Sequence, residues 1–331
     1  MRAGIDLGGT KIQAVVVDER SKVTGESRQP TPTAGGPAAV ISQMADTMSE
    51  AAEAAGVETA RLRGIGVGSP GAVDARAGTV AEARNLSDWD TPFPMAAALS
   101  ELLGSPVYIG NDVSVAVHAE YELGAAKEAD SLLGVFWGTG VGGGIIFDGK
   151  MWEGRGAAGE IGHVVVKRGG RRCTCGRRGC MEAYAGRGAM EIRARTLVDR
   201  GEKTELFEIM EKRGRSRLQS GIWERALKRE DPMAVHLIDG AIKALGAGIA
   251  SAVNLLDVEM VVIGGGLGTR LGEPYVKRIE SAMMPHLFVD DRPPAVLPVA
   301  LGDLGGAIGA ALLVPKAKKR PPRKPRAASA R

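Results

Sequence analysis

Apolar positions in this 331-residue chain fall into short strand-like runs separated by stretches of helical spacing. Residues 2–6 (RAGID) and 11–18 (KIQAVVVD) read as strands joined by the turn LGGT, and a third strand near Val23–Arg28 extends the meander. A helix follows. Pro37 suits its first turn, Val40, Ile41, Met44 and Met48 share one face, and Gly56 can end it. GIGVG (Gly64–Gly68) predicts a short buried strand before the loop SPGAVD, and PVYIGND a strand ending at Asn111–Asp112, with a helix running on through Ala125. Leu132–Gly149 (LLGVFWGTGVGGGIIFDG) repeats the opening pattern of strand, Gly/Thr turn and strand. The stretch 186–254 is mainly helical, and its clearest helix opens with Asp231 as N-cap and Pro232 in the first turn. EMVVIGGGLG reads as a buried strand running into a glycine turn, and AVLPVALGDLGGAIGAALLV as a last strand and a last helix. The pattern predicts two α/β lobes, each with a strand–turn–strand loop, and a cleft between them.

Composition adds limits. Aromatic residues are only 4%, which argues against a stacking platform for single-stranded nucleic acid. No leader precedes the first strand, no run of apolar residues has the length of a membrane span, and the few cysteines cannot form a disulfide framework. The expectation is a cytoplasmic protein without a membrane partner. The basic pI of about 9.0 is misleading. The segment 315–331 holds eight Lys and Arg and no acid, more than the whole net charge of +4, so the remainder is mildly acidic. This Pro-rich tail is expected to be disordered. It reads as a solubilising extension or as a weak polyanion contact, and no nucleic-acid partner is expected otherwise.

The glycine turns carry candidate chemistry. DLGGTK and GTGVGGG do not match a Walker A loop, but glycines let backbone N–H groups approach phosphate oxygens, and a Thr hydroxyl adds a donor. Either turn alone is compatible with a plain β-hairpin. One in each half, with GGGLG after a further strand, favours phosphate binding. The candidate nucleotide contacts are Gly8, Gly9, Thr10, Lys11, Thr139, Gly140, Gly265 and Gly266. Asp6, at a strand end, could hold Mg²⁺ through water. Asp112 ends a strand where ligand-facing residues of open α/β sheets sit, and a carboxylate there could act as general base; it could equally be the N-cap of the next helix.

Every cysteine lies close to one histidine in GHVVVKRGGRRCTCGRRGC (Gly162–Cys180). His163, Cys173, Cys175 and Cys180 form a Cys₃His set suited to a structural tetrahedral Zn²⁺, with Gly176 and Gly179 permitting the tight turns. Arg171, Arg172, Arg177 and Arg178 could offset the thiolate charge. Clustered free thiols and a nucleic-acid zinc ribbon are the rival readings; the pairs of CxxC knuckles usual in ribbons are missing. Glu160 and Glu182 bracket the set and could accept hydrogen bonds from sugar hydroxyls, or be surface acids.

Taken together, DLGGTK, GVGSPGAVD, GND, GTGVGGG, GEIGH, CTCGRRGCMEAY and VIGGGLG resemble the ROK family of sugar kinases and repressors, from about Gly4 to residue 268. The resemblance implies an α/β protein with the actin-like, hexokinase-type fold, two ribonuclease H-like lobes with an interlobe cleft. The small lobe would hold residues 1–112 plus 303–314, and the large lobe residues 113–302 with the zinc loop. The resemblance further implies Asp112 as base, the two turns as phosphate loops, and Zn²⁺ on His163, Cys173, Cys175 and Cys180. Sugar contacts would come from Asn111, Asp112, Glu160, His163 and Glu182, with Pro70, Gly71 and Asn85 nearby, and His163 would serve zinc and sugar with different ring nitrogens. The implied activity is ATP-dependent phosphorylation of a hexose, D-glucose to glucose 6-phosphate first, with Mg²⁺ accompanying ATP and a homo-oligomeric state expected. N-acetylglucosamine, mannose or fructose kinases and a non-catalytic sugar-sensing regulator are the alternatives. The family often reads NDAN where this chain has NDVS, which bears on sugar preference through Val113 and Ser114. The winged helix of the repressors has no room before the first phosphate loop.

Overall fold

The computed structural model describes residues 1–83 and 86–316. The opening meander forms as β1 (Arg2–Leu7), β2 (Lys11–Val17) and β3 (Val23–Pro30), all antiparallel. Helix α1 (Gly36–Ala54) lays Val40, Ile41, Met44 and Met48 on this sheet, the face its periodicity predicts. Strand β4 (Ile65–Ser69), a small hairpin of β5 (Ala72–Asp74) and β6 (Thr79–Ala81), helix α2 (Met95–Leu103) and β7 (Val107–Asn111) follow. The sheet order is β3-β2-β1-β4-β7, with β1, β4 and β7 parallel.

Helix α3 (Asp112–Leu123) leads to the second half. There β8 (Ser131–Trp137), β9 (Val141–Phe147) and β10 (Lys150–Met151) repeat the meander. After the cysteine loop come α4 (Glu182–Ala185), α5 (Arg187–Val198), α6 (Leu206–Lys212), α7 (Ser220–Lys228) and α8 (Pro232–Leu256). Asp231 caps α8 as its sequence predicts, accepting from Ala234 N at 2.8 Å. Strand β11 (Met260–Gly264), α9 (Gly265–Leu271), α10 (Glu273–Met283), β12 (Ala295–Pro298) and α11 (Gly305–Leu312) complete the chain. The second sheet runs β10-β9-β8-β11-β12. Its order is that of the first sheet, a three-stranded meander followed by two parallel strands, so the weak internal repeat is a repeat of topology.

Two expectations change. The glycine turn predicted after β11 winds directly into α9, because Leu267 and Leu271, four apart, are both buried and anchor a helical turn on the core. Helix α8 is long and apolar enough to cross a membrane, yet 67% of its most apolar window is buried inside the protein, so its hydropathy serves packing against α4 and α10.

The last helix crosses back. Helix α11 packs on β1, β4 and α3 through small residues. Methyl groups added at Gly4 and Gly66 would collide with the carbonyl oxygens of Ala307 and Ala310, and one at Gly309 with that of Val115. Glycine at these positions is what lets helix backbone lie directly on strand and on α3. Helix α3 itself touches strands of both sheets, so α3 and α11 together join the halves.

Candidate active site

The cavity between the sheets has a volume of about 480 Å³, in the range of small-ligand sites. One wall carries Asp6 and the β1–β2 turn, with Gly8, Gly9, Thr10 and Lys11, then Asn111 and Asp112 from the end of β7. The facing wall carries Thr139 and Gly140 of the β8–β9 turn, Gly265 and Gly266 at the start of α9, and Glu160, His163 and Glu182. Fourteen of the sequence-predicted site residues thus meet in one place. Pro70 and Gly71 do not line this cavity; they leave β4 next to Ser69, which pairs with Asn111 in the sheet register. Asn85 lies outside the described residues, as do positions 317–331 of the basic tail.

Local structure assigns Asn111 and Asp112 different tasks. Asn111 has extended backbone and its Oδ1 accepts from Val113 N and Ser114 N, both at 3.1 Å, so Asn111 is the N-cap of α3. The cap reading of Asp112 is corrected: Asp112 is the first helical residue. Its Oδ1 accepts from its neighbour Val113 N at 3.0 Å and from Asn111 Nδ2 at 3.1 Å. Burial in the cleft pushes its carboxyl up to about 6, with Asp6 and then Glu160 adding like-charge repulsion against the opposing backbone hydrogen bonds. Burial also raises Asp6, with Lys11 working against the shift and Asp303 for it. Ser114 Oγ lies 3.4 Å from the cap oxygen of Asn111, so this hydroxyl is turned to the cap.

Both turns are braced. Gly8 N donates to Lys11 O at 2.9 Å, and Thr31 Oγ1 to Gly8 O at 2.6 Å. In the second turn Gly138 N donates to Gly140 O at 2.9 Å, while Arg187 N and Gly188 N donate to Gly138 O and Thr139 O at 3.0 and 2.9 Å. Glu182 Oε2 accepts from Val141 N at 3.0 Å, and its Oε1 from Thr174 Oγ1 at 2.9 Å. Glu182 therefore ties the cysteine loop to the β8–β9 turn as well as lining the cavity.

The ligating atoms of His163, Cys173, Cys175 and Cys180 all lie within 4.8 Å of one another. The Cys175 and Cys180 sulfurs are 3.7 Å apart, and Cys173 Sγ is 3.8 Å from His163 Nδ1. A tetrahedron with zinc–sulfur arms of about 2.3 Å has edges of about 3.8 Å, so the donor set fits the ion. Burial pushes the Cys173 thiol up to about 12, so a thiolate there requires a cation. Gly176 and Gly179 have φ of 87° and 85°, the left-handed region that the tight turns demand. His163 Nδ1 faces Cys173 and its Nε2 is 3.9 Å from Glu160 Oε2, so the two ring nitrogens face the cluster and the cavity-lining Glu160 separately. Of the four arginines, Arg171 stacks over Tyr184 at 4.7 Å and Arg178 Nη1 donates to Gly170 O at 3.3 Å.

The sequence reading missed Glu120, Arg187, Thr269 and Asp303, which also line the cavity. Asp303 was within reach of a closer reading, since GDLGG interrupts an apolar run with one acid.

Comparison with known proteins agrees with this geometry. The ROK family model matches residues 2–317. The glucokinase of Thermotoga maritima is 30% identical over 94% of this chain and 96% of its own length. A ROK family glucokinase from Streptomyces griseus, solved in complex with glucose and AMPPNP, superposes with a TM-score of 0.79 at 31% identity, covering 94% of this chain and 98% of that one. A ROK hexokinase from Thermus thermophilus gives 0.73 at 34% identity, over 94% and 97% of the two chains. The chain has the hexokinase-type, actin-like fold and belongs to the ROK family.

Proposed function

We propose that this chain transfers the terminal phosphoryl group of ATP to a hexose, with D-glucose yielding glucose 6-phosphate as the first candidate. The observation that carries the reading is Asp112: a carboxyl raised to about 6, in a cavity whose walls hold one glycine turn from each sheet. The sugar hydroxyl oxygen attacks the terminal phosphorus, the bond from that phosphorus to its bridging oxygen breaks, and ADP leaves. Asp112 takes the hydroxyl proton as the new bond forms. Asn111, Glu160, His163 and Glu182 supply acceptors and donors for the remaining hydroxyls. The β1–β2 and β8–β9 turns present backbone to the phosphates.

Asp6 would hold Mg²⁺, which when bound neutralises phosphate charge. Zn²⁺ on His163, Cys173, Cys175 and Cys180 would be structural, fixing the ring of His163 and the Glu182 region. A coupled ADP-release assay over glucose, N-acetylglucosamine, mannose and fructose tests the reading. ADP release with one hexose supports a kinase and names its substrate. Sugar binding without ADP release on any of them would favour a sensing regulator.

A further inference from the structure

We infer that Arg187 grips the phosphate chain of the donor. The inference deepens the kinase reading above and rests on it. A second cavity of about 730 Å³ adjoins the first. The two share Thr10, Lys11, Arg187, Gly266, Thr269 and Asp303, which form a neck between them. Asp112 lines only the first cavity. A donor whose terminal phosphoryl lies near Asp112 therefore threads its remaining phosphates through the neck.

Two cations stand in that neck, and they differ. Lys11 Nζ lies 3.9 Å from Asp303 Oδ2, an oxygen that also faces Arg28 Nη1 at 3.7 Å. Lys11 thus already has a counter-ion. Arg187 has no carboxylate within 4.0 Å among the described residues. Two neutral hydroxyls hold it instead: Nη2 donates to Thr139 Oγ1 at 2.8 Å and Nη1 to Ser220 Oγ at 3.1 Å. A guanidinium carries five N–H donors and keeps its charge, so three remain for a ligand. Its backbone is fixed by the bond from Arg187 N to Gly138 O, in the turn proposed to meet phosphate. Hydroxyl braces orient the group without neutralising it. A partly buried, oriented and uncompensated guanidinium is suited to oxyanions, and its planar fork matches phosphate oxygens.

The alternative is a brace only, in which Arg187 shapes the turn and touches no ligand. Binding of ATP, AMP, inorganic triphosphate and glucose to the full chain separates the two, measured by calorimetry on wild type, Arg187→Met and Arg187→Lys. The methionine keeps the stem and removes the donors. Loss of a charge-assisted contact should weaken ATP and triphosphate about 10- to 100-fold in Arg187→Met. AMP and glucose should stay within about twofold, and Arg187→Lys should recover part of the loss. Equal weakening of ATP and AMP, or no weakening of ATP and triphosphate, overturns the assignment. If wild type binds ATP and triphosphate through Arg187 but transfers nothing to any sugar, the kinase reading fails and the phosphate grip stands.

Discussion

Replacing Asp112 by Asn tests the chemistry most directly. The amide has nearly the same shape and can still accept from Val113 N, so α3 should start as before; Asn111, the actual cap, is untouched. What the amide cannot do is take a proton. Removing a general base typically costs about 10²–10⁴-fold in rate, so kcat should fall by that factor while sugar affinity holds. The pH profile adds a second signature. The base works ionised, and its pKa is raised, so activity is present above the raised value and is lost as pH falls through about 6. An ordinary carboxylate would lose it only near 4. Between pH 7 and pH 5 the ionised fraction of such a group drops from about 0.91 to about 0.09, so kcat/KM, which reports the free enzyme, should fall roughly tenfold. The limb should be absent from the Asn variant. Burial is the larger cause of the shift and Asp6 the next, so Asp6→Asn should move the limb down without bringing it to an ordinary carboxylate value. A coupled assay from pH 4.5 to 8.5 decides. Turnover in Asp112→Asn within tenfold of wild type, or an acid limb that survives the substitution unchanged, would remove Asp112 from this role.

Elemental analysis should find one zinc per chain, and Cys175→Ser should lose the metal and weaken sugar binding together, because the same loop carries His163 and Glu182; a metal-free protein with full activity would refute the Cys₃His site. Gly66→Ala places a methyl against the Ala310 carbonyl, so α11 must shift off the sheet, and denaturant unfolding should show a loss of about 1–3 kcal/mol or more; unchanged stability would mean the helix does not lie this close. Glucose should draw the two cleft walls together, lowering the radius of gyration in small-angle scattering; an unchanged value at saturating sugar would indicate a preformed cleft.

What could be read from the sequence was what local spacing determines. Strand β2 shows in a short β-branched run, β1 and β8 in their short apolar stretches before a glycine turn, α1 in a buried face of Val40, Ile41, Met44 and Met48, and the candidate metal donors in the clustering of three cysteines and a histidine. Asp112 was ambiguous because Asp is a favoured cap, and only the structure, with the backbone of Asn111 extended at φ −67° and ψ 139°, gives the cap to Asn111, which the sequence had not marked for it. The start of α9 was missed because three consecutive glycines carry no helical signal; Leu267 and Leu271 are buried in the core, and the helix packs on β8 and α7 as well as on its neighbours β11 and α10.

Glu120 shows the limit most clearly. Local spacing makes it one more polar residue of α3, yet it is buried, and its carboxylate accepts from Ala125 N, Ala300 N and Leu301 N, each at 2.9 Å. Two of those donors lie about 180 residues away, on the segment that leads from β12 into α11. That segment and α3 are the two places where the chain passes between the sheets, so one carboxylate clasps both crossings. A buried acid bonded to three backbone donors is costly to leave unpaired, so the clasp holds the two crossings in register. Nothing within a helical turn announces this. The available hint is negative: positions four before and four after Glu120 are Ala116 and Gly124, so no neighbouring cation explains an acid there, and its partner had to come from elsewhere in the fold.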